Sequence, residues 1–217
     1  MAKATFTEEQ ASTVSTPGAG TVSFGFDTTA NGLFWYKDDG GRYYARTTNA
    51  AIAAQTANAA DTYLTNSDLI IPSFGLQAKT TFLWQVSASK TAAGVAQPAY
   101  LIRTGANRST ADTTRLTITG PAQTAVADVG TLNVMLTVRT IGATGVIQGT
   151  AWWDHRGTAA NTTTSGTGFA NDTTGHTEAT AAGFDMTALA GQYITLSVNP
   201  GGSGVWTITQ VRAEVDW

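Results

Sequence analysis

The sequence predicts an all-β protein: an antiparallel β-sandwich of the jelly-roll kind, preceded by a small N-terminal β-hairpin section. Composition is the first reason. Forty threonines, 35 alanines and 23 glycines sit beside only 12% charged residues, a mix that suits strands and turns better than helical bundles. The second is that, from Asp61 onward, short apolar/polar runs recur with turn residues between them. The third is that no long amphipathic helical stripe interrupts them.

At 217 residues the chain is long enough for one sizeable domain and a small appendage. Residues 1–48 read as the N-terminal section. Within it TVSFGFD (21–27) is one strand, and LFWYK and RYYAR flank the turn Asp38-Asp39-Gly40-Gly41, where glycine accepts the positive φ that a hairpin turn needs. Strand alternation puts Leu33, Trp35 and Lys37 on one face and Phe34 and Tyr36 on the other. Both faces carry aromatics, more than so small a hairpin can bury against itself. Two readings stand: one face packs on the large domain and the other is simply exposed, or one face meets another copy or a partner protein. The second makes Leu33, Phe34, Trp35, Tyr36, Tyr43 and Tyr44 the interface and attachment residues, with Trp35 and Tyr43 as the main anchors. Residues 49–60, NAAIAAQTANAA, read as an Ala-rich linker or short helix, since Ile52 is their only large apolar residue.

Residues 61–217 form the sandwich domain. TYLTNSDLIIP (62–72) is stopped by Pro72. TTFLWQVSAS (80–89) alternates cleanly, with Phe82, Trp84, Val86 and Ala88 on one face. AYLIRTG (99–105), TRLTITG (114–120), LNVMLTVRTIG (132–142) and GVIQGTAWWD (145–154) follow. In the third of these Leu132, Val134, Leu136 and Val138 point inward, while Met135 is an apolar residue on the outer face. QYITLSV (192–198) and VWTITQVRAEV (205–215) close the domain. The last strand breaks phase between Ile208 and Val211, which a β-bulge near Thr209–Gln210 repairs. Residues 155–183 interrupt the pattern as a long Thr/Gly/Asn/Ala loop.

Several function classes find no support. The net charge is −3 and the basic residues are scattered singly, so no nucleic-acid partner is expected. With no cysteine, disulfides and thiolate chemistry are excluded. The N-terminus has no apolar core of signal-peptide length, and no apolar run reaches membrane-spanning length. The expectation is a chain made in the cytoplasm, not inserted in a membrane, that joins something larger. His155 and His176 lie near the long loop, but their spacing matches no metal or catalytic motif. No enzyme activity and no cofactor or transition metal are therefore expected; calcium stays open, through oxygen groups near Asn171 and Asp172. Trp152, Trp153, His155 and His176 form the candidate ligand-binding surface, although on a strand only one of the two tryptophans can face outward.

LFWYKDDGGRYYAR (33–46) resembles the small L-Y-x-K-x-D-G-x-x-Y hairpins near the N-termini of tailed-bacteriophage fibre and appendage proteins. ADTYLTNSDLIIPSFGLQAKTTFLWQVSASKTAAG (60–94) is similar to a β-module of phage virion proteins. Its features here are Ile71-Pro72, Lys90-Thr91-Ala92-Ala93-Gly94, an Arg-Thr-Gly turn at 103–105, Ala111-Asp112 and TAVADVG (124–130). VNPGGSGVWTITQVRAEV (198–215) looks like the module's C-terminal hairpin. The resemblance covers about 190 residues. It implies a bacteriophage virion structural protein with a jelly-roll domain, a homotrimer without catalytic residues. Such a protein docks on capsid or tail proteins and serves as tail fibre, tail tip, capsid decoration or head fibre; head and tail are equally open. Particle stabilisation or host attachment, with a host-surface glycan as a partner, is the implied role. A carbohydrate-binding module is the alternative, and a glycan-degrading tailspike enzyme ranks behind both.

Overall fold

The computed structural model describes residues 7–8, 17–27, 33–37, 43–58, 60–71, 75–155, 177–184, 189, 191–202 and 204–216. Its strands are β1 (Thr7–Glu8), β2 (Ser23–Asp27), β3 (Leu33–Lys37), β4 (Tyr43–Ala57), β5 (Thr62–Tyr63), β6 (Leu69–Ile70), β7 (Thr81–Lys90), β8 (Ala99–Gly105), β9 (Thr113–Thr119), β10 (Asp128–Thr140), β11 (Gly145–His155), β12 (Thr177–Phe184), β13 (Tyr193–Asn199) and β14 (Trp206–Asp216).

The pairing explains the architecture. β8 pairs with β9, β7 with β10, β5 and β6 with β13, and β4 with β14, all antiparallel. These pairs nest: Ala99 lies opposite Thr119, Lys90 opposite Asp128, Ile70 opposite Tyr193, and Ala57 opposite Trp206. The chain is thus one long antiparallel ribbon doubled back at the β8–β9 turn. Rolling that ribbon places β4, β14, β7 and β10 side by side in one sheet and β5, β13, β8 and β9 in the other, with β6 also on β13. This is a jelly roll. The hairpin β11–β12 extends the first sheet beyond β10, and β3, β2 and β1 extend it beyond β4, giving nine strands against five.

The core lies between the sheets, and strand period dictates its members. β7 alternates without a break, burying Phe82, Trp84, Val86 and Ala88. β10 buries Leu132, Val134, Leu136 and Val138, and leaves Met135 38% exposed on the outer face, as its position requires. From the smaller sheet Tyr100, Ile102, Leu116, Ile118, Ile194, Leu196 and Val198 meet them. In β14 the register slips between Ile208 and Gln210. The bulge leaves Trp206, Ile208, Val211, Ala213 and Val215 all buried despite their change of parity. The sheets are also tied by polar contacts: the Trp84 indole donates to the Ser67 carbonyl at 2.7 Å, and Ser67 Oγ pairs with Leu196 O and N at 3.0 and 3.1 Å. Ser67 thereby bridges β13 across the gap between β5 and β6.

Three expectations need correction. Most of residues 49–60 is neither linker nor helix: β4 runs unbroken through Ala57 and pairs with β14 from Arg46 onward. Pairing along a neighbouring strand outweighs the helix preference of alanine, which is worth only tenths of a kcal/mol per residue, and the boundary placed at residue 48 falls inside this strand. Residues 62–72 form two short strands rather than one. The expected loop 155–183 ends earlier, because Thr177–Phe184 is β12, paired with β11. TEATAAGF shows no apolar alternation before Phe184, so only its pairing marks it as strand.

Candidate functional site

Two surfaces of the large sheet bear on function. The first is its N-terminal extension. β2 pairs with β3 and β3 with β4, placing Phe24 opposite Tyr36 and Tyr36 opposite Tyr44, with Trp35 opposite Ala45 and Lys37 opposite Tyr43. The hairpin built from Leu33, Phe34, Trp35, Tyr36, Tyr43 and Tyr44 is therefore present as paired strands; its turn, residues 38–42, lies outside the described residues. β4 and β14 face β6, and β11 and β12 face β9 across the sandwich. The extension continues the sheet on the far side of β4 from β14, and on β2 Phe24 is 51% exposed.

The second surface is the outer face over β14, β7, β10 and β11. Arg212, Gln85, Asn133 and Trp152 lie directly opposite one another in register, one line across four strands. Directly opposed residues share a face. The next line toward the end of β11 is Gln210, Ser87, Thr131 and Asp154; on the other side it is Glu214, Leu83, Met135 and Thr150. Asn133 is the centre. Gln85 Nε2 donates to its Oδ1 at 3.2 Å, and its Nδ2 donates to Asp154 Oδ2 at 2.7 Å and to the Thr131 carbonyl at 3.4 Å. Arg212 donates to Gln85 Oε1 at 3.5 Å and pairs with Glu214.

The two tryptophans part as alternation requires. Trp152 is half-buried on this outer face. Trp153 is not part of a ligand surface: it is 4% exposed in the core, donates its indole N–H to the Tyr100 hydroxyl at 2.9 Å, and meets Trp206 edge-on at 5.3 Å. The backbone of His155 ends β11 opposite Gly130. His176, Asn171 and Asp172 lie outside the described residues. Among the described residues no group of three His, Cys, Asp or Glu is placed to hold a metal ion.

The remaining polar clusters act as architecture. Arg103 is buried on β8, where it pairs with Asp61 and donates to the carbonyls of Thr110 and Asp112 at 3.0 and 2.7 Å. The Asp112 carboxylate accepts the backbone N–H groups of Asn107, Arg108 and Ser109 at 3.0, 2.8 and 3.4 Å, closing the β8–β9 turn. A Cβ at Gly105 would stand 2.1 Å from Asp112 Oδ1, so glycine is required there. Arg103-Thr104-Gly105 is thus the end of β8 rather than a turn, and with Ala111-Asp112 it shapes the ribbon's tip. At the other end of the sandwich Lys90 Nζ donates to the carbonyls of Thr124 and Val126 at 2.7 and 3.1 Å. Burial lowers its pKa, partly opposed by Asp128. Gln123 joins three segments: Nε2 donates to Ala96 O and Pro200 O at 3.1 and 2.7 Å, and Oε1 accepts the Trp206 indole at 3.1 Å.

Sequence reasoning missed the Asn133-centred line. Its only signal is that Gln85, Asn133 and Arg212 occupy outward positions of strands whose pairing the sequence does not state. No protein-family model matches the chain, and no curated protein matches it either.

Proposed function

We propose that this chain is a non-enzymatic structural protein of a tailed-bacteriophage particle, a homotrimeric appendage that docks by its N-terminal section and displays the jelly roll outward. The observation that carries this reading is the N-terminal extension. Strands rich in large aromatics continue the large sheet past β4, the edge strand of its jelly-roll part. A sheet extension beyond its own sandwich suits burial against a neighbour, and in a closed oligomer one such patch repeats around the symmetry axis. Low charge and abundant small residues suit close chain-to-chain packing, and the order of the resembling motifs points to virion modules. The docking partner is a capsid or tail protein, and the protein functions in the virion after assembly in the host cytoplasm.

Native mass spectrometry tests the oligomer: the expected mass is three times that of the 22.5 kDa chain. Trp35→Ala with Tyr43→Ala is expected to leave the sandwich folded by circular dichroism. Truncating one aromatic anchor at an interface centre costs about 2–4 kcal/mol, roughly a 30- to 1,000-fold loss of association. A clean monomer at micromolar concentration, or a double variant that assembles and enters particles normally, overturns the reading.

A further inference from the structure

We infer that copies of this chain meet on one particular side of the N-terminal extension, its outer face, where Phe24, Phe26, Phe34, Tyr36 and Tyr44 stand together. The inference rests on the oligomer reading above and goes further: that reading leaves the face open, and its main anchors, Trp35 and Tyr43, lie on the opposite side. The register fixes this division. Phe24, Tyr36 and Tyr44 are directly opposed across β2, β3 and β4, and Phe26 opposes Phe34. Opposed residues share a face, as do residues two apart on a strand. The rows Gly25–Trp35–Ala45 and Ser23–Lys37–Tyr43 alternate with them on the other face. β4 determines which side is which. Tyr44 has the parity of Arg46, Thr48 and Ala50, which oppose Asp216, Glu214 and Arg212 of β14. Tyr43 has the parity of Thr47, Asn49 and Ala51, which oppose the core residues Val215, Ala213 and Val211. The aromatic face is therefore continuous with the outside of the large sheet. On β2, Phe24 is 51% exposed, whereas Gly25, on the opposite face, is buried.

Area and charge select the occupant. The smaller sheet packs on the inner face, so among the described residues no strand of the jelly roll covers this one. Aromatic side chains bring about 150–250 Å² each, so five bring about 750–1,250 Å². A standard interface buries roughly 800 Å² per partner, and monomers rarely leave so large an apolar patch open. Asp27 and Lys37, the charged residues of β2 and β3, both fall on the other face. On the aromatic face charge stands only at the margins: Glu8 beside Phe26 at one, and Arg46 opposite Asp216 at the other. An apolar aromatic centre inside a charged rim is the anatomy of a protein interface. A second copy of the chain fits it, offering equal aromatic area with no like charges meeting at the centre. Two such faces pack as sheets do, about 10 Å apart, with their side chains interdigitated.

Native mass spectrometry of the full-length chain supplies the first test. Phe24→Arg is expected to weaken association roughly 30-fold or more and to move the mass toward that of the 22.5 kDa chain. Its circular dichroism spectrum should match the parent's, since Phe24 is half-exposed on its own sheet. The second test stays valid if that variant folds poorly. The chain has no cysteine, so Phe24→Cys introduces a single thiol. In the oligomer this thiol should react with a maleimide roughly tenfold or more slowly than that of Val95→Cys. Val95 is 58% exposed in the loop after β7, at the opposite end of the large sheet from Tyr44. A dimer that Phe24→Arg dissolves supports the shared face and overturns only the threefold count. An oligomer left intact by a folded Phe24→Arg chain, or equally fast labelling at the two positions, overturns this inference and leaves the oligomer reading standing. A chain that is monomeric at micromolar concentration overturns both.

Discussion

Gly149→Ala separates the packing described above from any looser arrangement of the same strands, because the two cases differ in sign. Gly149 sits in the middle of β11, opposite Leu136 on β10 and Ala179 on β12. In an ordinary strand interior, replacing glycine with alanine stabilises a protein by roughly 0.5–1 kcal/mol, because it removes backbone freedom from the unfolded chain. Here the added Cβ would lie 2.6 Å from Leu116 Cδ2 and 2.7 Å from Ile118 Cδ1 on β9 of the facing sheet. Both neighbours are buried, so neither can swing into solvent. Overpacking of this kind costs about 1–3 kcal/mol, more than the entropic gain. For a chain of this length each kcal/mol moves the melting temperature by roughly 2–4 °C, so Gly149→Ala should melt several degrees below the parent in a calorimetric scan. Ile118→Val removes the second of the two clashing carbons. The pair Gly149→Ala, Ile118→Val should therefore be less destabilised than the sum of the single changes. A Gly149→Ala protein as stable as the parent, or more so, refutes the close approach of β11 to β9.

Further outcomes follow from the polar architecture and from β4. Arg103→Met leaves Asp61 without its buried partner and frees the carbonyls of Thr110 and Asp112; a loss of about 2–3 kcal/mol is expected in urea unfolding, and an unchanged midpoint contradicts it. Burial raises the pKa of Tyr100 and Tyr63 above the ordinary 10.0, Asp68 adding to the rise for Tyr63. As pH rises through 10 the unfolded chain releases phenolic protons that the folded chain keeps, so stability falls there, by about 1.4 kcal/mol per pH unit for each such group. Tyr100→Phe should flatten that alkaline slope, read from denaturation midpoints between pH 9 and 11. Proteinase K at low ratio should spare residues 49–57, since β4 is paired with β14 on both sides of the register shift between Ile52 and Gln55; early cleavage there would mean that the strand is open in solution.

How far the sequence reached can be followed residue by residue. Where one face of a strand is buried and the other is not, period 2 is written in the residues: Phe82 to Ala88, Leu132 to Val138, and even the phase break at Thr209 were legible. That only one of Trp152 and Trp153 faces outward was legible too, though not which one. β4 and β12 were not legible, because Ala and Thr runs such as NAAIAAQTA and TEATAAGF carry no amphipathic signal; their identity as strands lies in the partner they pair with. The same limit hid the line through Asn133. Each of its members is an unremarkable polar residue on its own strand, and only the register of four strands brings them together. Asp61 with Arg103 is a similar case, the two being 42 positions apart in the chain.

The unbroken course of β4 ties the proposed docking section to the outer sheet face around Asn133. Its first residues, Tyr43 to Ala45, pair with β3 of the aromatic hairpin. Seven strand positions on, Ala50 lies opposite Arg212 of β14, whose next neighbours across the sheet are Gln85, Asn133 and Trp152. Hydrogen-bonded neighbours in a sheet move together, whereas a flexible linker lets two ends reorient independently. With a linker at 49–60 the sandwich would swing about its attachment point. With a strand there, fixing the hairpin on a partner also fixes the direction in which the outer sheet face is presented. In a trimer each copy would then hold that face at one set angle to the axis.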